Sequence, residues 1–459
     1  MQNQDLLATA KHVHFIGIGG SGMCPIAEIL HRRGYHVTGS DNTESETIQK
    51  LRSYGIPITI GQTAENIQGA DLIIYSAAVK PENPELAAAL ASGIPTLERA
   101  RMLGLVTGRY QNAVAVSGTH GKTTTTGMLT QLFLSAGKDP SAIIGGKLPC
   151  IGSNGRAGSS EFIICEACEY VDTFLHLTPA VSVILNIDAD HLEYFGSMEN
   201  IIASFRRFAA QTTKTLVVNG DDPNVRKAIE GLTNAKVLTF GFSSQNDYTA
   251  QNIEDSLNAF ETFTLCKHGA PLTQITLSVP GHHNILNALA AATVAEHFGI
   301  SPEQIATGLH AFTGVHRRFE RLGTFDNITI ADDFAHHPTE LIATLGAAAR
   351  MGFGAVWAIF QPHTYSRTAL LLDDFAKALT IADHVLLTEI LPVRETNTYG
   401  ITSQDLANKI PGSCCFQSFE EIRDYVTTHA KPGDLIITLG GGDIYRCANL
   451  IVDFYQQKN

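Results

Sequence analysis

The chain has 459 residues, 44% of them apolar, which is too long for one core and enough for two to four separately cored domains. Its 32 basic against 45 acidic side chains leave a net charge of −13, which argues against a nucleic-acid or anionic-membrane partner, so a phosphorylated ligand must be met by local cradles. No apolar run approaches the roughly 18 residues needed to span a bilayer and the N-terminus lacks the basic region of a signal peptide, so no membrane insertion and a cytoplasmic address are expected.

Residues 13–16 form a short apolar strand that runs into Gly17-x-Gly19-x-x-Gly22, and a helix of small and apolar residues continues to Arg33. A second strand is expected over 35–39. Asp41 follows, close to where a dinucleotide fold places the carboxylate that reads a ribose hydroxyl. Taken alone this pattern says nicotinamide cofactor, yet the same turn at a helix N-terminus serves any nucleotide diphosphate. Strands over 58–60 and 72–75 and helices over 84–91 and 99–106 complete an α/β unit with a boundary near Gly108.

The apolar strand at 114–117 then enters Gly118-Thr119-His120-Gly121-Lys122-Thr123-Thr124. The spacing departs from the usual phosphate-loop pattern, because the position five before Gly121 is Val116. What remains is the physical context: strand, glycine-bracketed loop, then a helix with Met128, Leu129, Leu132 and Phe133 at helical spacing. Backbone N–H groups around 118–121 can face an anion, Lys122 supplies a point charge to terminal phosphates, and Thr123 faces a magnesium ion. Strands over 162–165, 181–186 and 215–219 and a helix over 201–210 build a second α/β unit. At strand ends in it, Glu166 and His191 either complete a magnesium site with Thr123 or are a solvated carboxylate and a loop histidine. Cys165-x-x-Cys168 is a lone pair without the second ligand pair of a zinc site, and the eight scattered cysteines fit free thiols in a reducing compartment. Residues 261–279 alternate as hairpins do. Asn284 and Asn287, on one face of an alanine-rich helix, are either caps or ligand contacts.

From about 313 the pattern restarts, with strands over 328–331, 356–360, 385–387 and 435–439. The loops between them are dense in charge and histidine: Arg317-Arg318, Asp332-Asp333, His336-His337, His363 to Arg367 and Gly440 to Tyr445. No internal repeat, heptad array or low-complexity tract interrupts the chain.

Six stretches in this order resemble the Mur ligases across nearly the full chain: Phe15 to Met23, Gly118 to Thr126, His283 to Ala288, Arg317 to Glu320, Asp332 to Glu340 and Phe360 to His363. The resemblance implies an α/β chain of three domains. These are an N-terminal Rossmann-like domain for a UDP-sugar (1–108), a central ATP-binding P-loop domain with a mostly parallel sheet (109–312), and a C-terminal Rossmann-like domain that closes for the amino acid and ATP (313–459). The activity implied is an ATP-dependent joining of L-alanine to the lactyl carboxylate of UDP-N-acetylmuramate through an acyl phosphate, in peptidoglycan precursor synthesis, with Mg2+ or Mn2+ as cofactor. It further implies that Gly17, Gly19, Gly20, Gly22, Met23, Ser40, Asp41 and Ser76 bind the UDP-sugar. The ATP site would take Gly118, Thr119, His120, Gly121, Lys122, Thr123, Thr124, Asn284, Asn287, Arg318 and Asp333. Thr123, Glu166 and His191 would hold metal, with Lys122, Glu166, His191, Arg318 and Asp333 catalytic. His337, His363 and Arg367 would receive the amino acid. Thr364 stands where many members have arginine, which leaves Arg367 or Arg394 for the amino-acid carboxylate.

Three other readings compete with this one. A sister ligase adding another amino acid or a preformed peptide to the same sugar nucleotide shares every phosphate motif. A nicotinamide oxidoreductase rests on Gly17, Gly19 and Gly22 alone and leaves Lys122 unexplained. A non-enzymatic nucleotide-binding regulator needs neither Glu166 nor His191.

Overall fold

A computed structural model describes residues 6–254, 260–393 and 395–458, so Arg394 lies outside the described residues. The architecture is α/β in three domains, each built on its own sheet. The N-terminal sheet runs in the spatial order Ile58–Ile60, His36–Asp41, His12–Ile16, Leu72–Tyr75, Thr96–Glu98, all parallel. The chain leaves His12–Ile16 first to one side and later to the other, so the glycine turn at 17–22 opens at the point where strand order reverses, where such sheets place ligands.

The second sheet has its parallel core in the order Lys236–Gly241, Thr215–Asn219, Val181–Ile184, Asn112–Ser117, Phe162–Glu166, Ser141–Leu148. Asn112–Ser117 is buried at every position, as a central parallel strand covered on both faces requires, which is why residues 113–116 read as an unbroken apolar run. Ser141–Leu148 turns back antiparallel into Ser153–Arg156. This hairpin reaches two places: Asn154 donates to the carbonyl of Ser21 in the glycine turn, and Gly145 touches Glu166. The segment expected to form hairpins holds the neighbouring strands Phe260–Lys267 and Ala270–Pro280, turning at His268 (φ 48°) and Gly269 (φ 79°).

The third sheet runs Glu320–Phe325, Ile328–Asp333, Leu435–Leu439, Val356–Phe360, His384–Leu387, Cys414–Cys415, parallel except for its first strand. Here the strand expected to stop at Ala331 continues through Asp332 and Asp333, both buried. The Asp332 carboxylate accepts from Arg317 Nε at 2.8 Å and from the Thr438 hydroxyl at 2.6 Å. A buried charge held this way no longer ends a strand.

By its contacts the chain falls into two compact units. The first runs through Thr249 and adds Lys267–Ala270 and Ala288–Gly308, and the second takes Ala250–Cys266, Pro271–Asn287 and Leu309–Asn459. In the first, one apolar core extends from Phe15 and Ile26 through Met102 and Leu103 to Phe174, Phe205 and Phe208. Among the described residues no helix is long and apolar enough to cross a membrane.

Candidate active site

The glycine turn borders an open cleft of about 660 Å³ lined by Gly17, Gly19, Gly20, Asp41 and Ser76 among others. Gly17 (φ 79°) and Ile18 donate their N–H groups to the Ser40 carbonyl at 2.9 and 3.0 Å. Asp41 faces the turn itself: its Oδ2 accepts the Gly19 N–H at 2.9 Å and its Oδ1 the Asn42 N–H at 2.8 Å. Three residues expected at the sugar nucleotide are not among those that line this cleft. The Ser40 hydroxyl is fully buried and donates to Glu85 Oε2 at 2.6 Å, Met23 is packed in the core, and a Cβ on Gly22 would lie 2.7 Å from Arg99 Cδ. Lys80 and Asn83, which line the same cleft, carried no motif in the sequence.

The phosphate loop is shaped by Gly118 (φ 137°) and Gly121 (φ 85°), the latter capping the helix Lys122–Ser135. A side chain at Gly118 would strike Leu185 Cβ at 2.9 Å. The next strand end braces the loop. Asn186 takes the Thr119 N–H on its carbonyl (3.1 Å) and the His120 N–H on its side chain (2.8 Å), and returns its own amide to the His120 carbonyl (3.0 Å). The N–H groups of Thr119 and His120 are thus bonded to Asn186, a residue without a motif, whose role follows from its place at the end of a neighbouring parallel strand.

Lys122 turns back over the loop, its Nζ 2.6 Å from Gly118 O, 3.0 Å from Thr119 O and 2.9 Å from Glu169 Oε2. Burial pushes this ammonium down, but Glu169, Cys168 and Glu166 together outweigh it, Glu169 most of all, and hold it above its ordinary value. Thr123 and Glu166 converge on one spot. A Cβ built on Gly145 would lie 2.9 Å from Thr123 Oγ1 and 2.5 and 2.8 Å from the two Glu166 oxygens, while the Gly145 N–H donates to Glu166 Oε1 at 2.7 Å. Thr124 is half-buried one position further along the helix. His191 (φ 55°) caps the short helix Leu192–Phe195, with its ring 4.6 Å from that of Tyr170 and its Nε2 3.7 Å from Asp190 Oδ2. Of the cysteine pair, Cys165 is buried and burial pushes its thiol up to about 12, while Cys168 is exposed.

In the second unit Asp333 is held by two backbone donors, the Phe319 N–H at 2.6 Å and the Ala335 N–H at 2.7 Å. Burial raises its carboxyl to about 6 despite the opposing Arg318. A raised acid binds its proton more tightly folded than unfolded, so this contribution to stability is present below about pH 4 and lost as pH rises to about 6. Asp333→Asn is expected to flatten that part of the pH dependence of the urea midpoint, and an unchanged slope would show that Asp333 does not titrate there. Asn287 Nδ2 donates to Asn284 Oδ1 at 2.9 Å and Asn284 Nδ2 to Pro280 O at 2.7 Å, so the pair shares one face as its spacing requires. His363 Nδ1 lies 3.4 Å from Arg367 Nη1 and its ring 5.4 Å from that of His336. Thr364, in the arginine's place, caps the helix Tyr365–Leu370 by accepting the Arg367 N–H. His337 caps Pro338–Ala349, and Arg317 bonds the carbonyls of Gly440 and Gly442.

Comparison with known proteins gives matches along the chain to three family descriptions: "Mur ligase family, catalytic domain" over residues 12–111, "Mur ligase middle domain" over 116–295, and "Mur ligase, glutamate ligase domain" over 317–442. The UDP-N-acetylmuramate–L-alanine ligase of Acetivibrio thermocellus is 46% identical over 96% of this chain and 96% of its own length. The enzyme of that name from Agathobacter rectalis is 45% identical over 94% and 96%. Among solved structures, a UDP-N-acetylmuramate–alanine ligase from Thermotoga maritima superposes with a TM-score of 0.82 at 29% identity, covering 98% of this chain and all of that one.

Proposed function

The chain belongs to the Mur ligase family, and from that premise we propose that it joins L-alanine to the lactyl carboxylate of UDP-N-acetylmuramate, with ATP converted to ADP and phosphate, in the peptidoglycan precursor pathway. It is an ATP-dependent amide-forming ligase. The observation that carries the mechanism is the convergence of Thr123 and Glu166 at Gly145, beside Lys122, along the carboxyl ends of one parallel sheet.

The chemistry starts from a repulsion. A carboxylate approaching the γ-phosphate meets on the order of 4 kcal/mol per unit-charge pair at 4 Å with an effective dielectric near 20. Lys122 supplies one positive charge against it. Thr123 Oγ1 and the Glu166 carboxylate are hard oxygen donors on one spot, left open by the missing Cβ of Gly145, and that donor set fits Mg2+ or Mn2+. We assign His191 to the same metal from its place in the family pattern. When bound, the ion would offset charge on the transferring phosphate. The carboxylate oxygen then attacks phosphorus in line, the bond to ADP breaks, and the acyl phosphate passes its carbonyl to the alanine amine, which loses a proton as phosphate leaves. Arg318, Asp333, Asn284 and Asn287 are the proposed nucleotide contacts of the second unit, and His337, His363 and Arg367 its amino-acid contacts. The eight free cysteines suit a cytoplasmic enzyme.

The test is coupled ADP release with UDP-N-acetylmuramate, scanning alanine, glycine and serine. Turnover that depends on alanine is expected, and turnover that requires a preformed peptide instead would overturn the assignment. The glycine turn has its own test. A Cβ at Gly19 would lie 2.9 Å from Asp41 Oδ2 and 3.2 Å from Ile48 Cγ1, where backbone must approach the diphosphate. Gly19→Val should therefore weaken UDP-N-acetylmuramate binding about tenfold or more while ATP binding holds. Calorimetry on the intact protein reads both, and saturable NADH binding that the UDP-sugar does not displace would point back to a dinucleotide site.

A further inference from the structure

Just past the strand Phe162–Glu166 lies a strained segment that the reaction scheme leaves unused. Val171 (φ 52°) and Asp172 (φ 57°) are consecutive left-handed residues, a backbone a β-branched side chain adopts only when its surroundings impose it. They do so through Asp172, whose carboxylate accepts from Arg207 Nη2 at 2.8 Å, from Tyr194 Oη at 3.3 Å and from the Ser204 hydroxyl. Anchored there, the segment turns Glu169 inward until it is only 3% exposed, with Oε2 2.9 Å and Oε1 3.1 Å from Lys122 Nζ.

Counting donors shows what this contact does. An ammonium has three N–H groups, and those of Lys122 face Gly118 O, Thr119 O and the Glu169 carboxylate. A phosphate oxygen reaches Lys122 only by taking one of these places. The two carbonyls belong to the loop that receives the phosphates, while the Glu169 carboxylate must release the lysine before a phosphate can take its place. We propose that Glu169 is a positioning residue that latches Lys122 onto the phosphate loop in the nucleotide-free protein and competes with the terminal phosphates of ATP for it, the bonds that anchor Asp172 keeping the carboxylate in place. This rests on the reading that Lys122 meets ATP phosphates.

Calorimetry on the full chain with ATP, AMP and UDP-N-acetylmuramate tests it. Glu169→Gln keeps the shape and removes the charge, so ATP should bind at least about fivefold tighter, with AMP and the UDP-sugar unchanged. In a Lys122→Ala background the same substitution should change ATP affinity by less than about twofold, because the coupled partner is gone. A folded Glu169→Gln protein with unchanged or weaker ATP binding overturns the latch, and so does equal tightening in the Lys122→Ala background. Should the Gln variant fail to fold, Glu169→Asp retains the charge one methylene further back and is expected to tighten ATP binding less. Unchanged affinity there overturns the proposal equally. A wild-type protein that does not bind ATP would instead remove the ligase reading.

Discussion

Lys122→Ala is expected to lose at least about 100-fold in turnover while its affinity for UDP-N-acetylmuramate stays at the wild-type level, because in the proposed mechanism the lysine stabilises charge on a transferring phosphate, and it does not line the glycine-turn cleft. A second effect accompanies this one. Removing the ammonium leaves the Glu169 carboxylate buried without its counter-charge, a situation that costs about 3 kcal/mol or more. The single variant should therefore also unfold at lower urea. The double variant Lys122→Ala/Glu169→Gln separates the two effects, since it has no orphaned charge. Its stability should return toward wild type while its turnover stays low. Turnover within about threefold of wild type in the double variant would show that the loss belonged to folding, and the phosphate-loop role of Lys122 would fall.

The contrast between Lys122 and Glu169 shows what the sequence could reveal. Lys122 stands at a fixed offset between a buried strand and a helix, and both elements announce themselves through apolar spacing, so its place was readable. Glu169 sits in a short irregular stretch whose direction is set by two left-handed residues, Val171 and Asp172, and by bonds from Arg207 and Tyr194 far along the chain. No local pattern carries that information. Ser40 is a different case. The family resemblance puts it beside Asp41 at the sugar nucleotide, yet neighbours on a strand point to opposite faces, and in His36–Asp41 the hydroxyl goes to buried Glu85 while Asp41 meets the turn. The alternation alone could have divided the two. The sequence pattern ends the strand before Asp332 and Asp333 for the converse reason: charge reads as loop until the partners are known, here Arg317 and Thr438 for Asp332 and two backbone N–H groups for Asp333. Gly145 was invisible because its contribution is an absent atom.

That absent atom frames the other large effect. Glu166→Gln should abolish acyl-phosphate formation, with turnover falling at least about 100-fold. The glutamine side chain has the same length, and its amide oxygen can still accept the Gly145 N–H that Glu166 Oε1 accepts at 2.7 Å. The fold around the strand Phe162–Glu166 is therefore expected to survive, with an unchanged urea midpoint as the control. What disappears is the negative charge at the spot where Glu166 and Thr123 Oγ1 converge under Gly145. A neutral amide there brings an N–H donor toward a position suited to a cation, and replaces a strong anionic oxygen by a weak one. Borohydride reduction of the reaction mixture traps any acyl phosphate as a reduced sugar product. None is expected from the variant, and near wild-type yield would remove Glu166 from the metal set and leave its carboxylate as a brace for Gly145 alone.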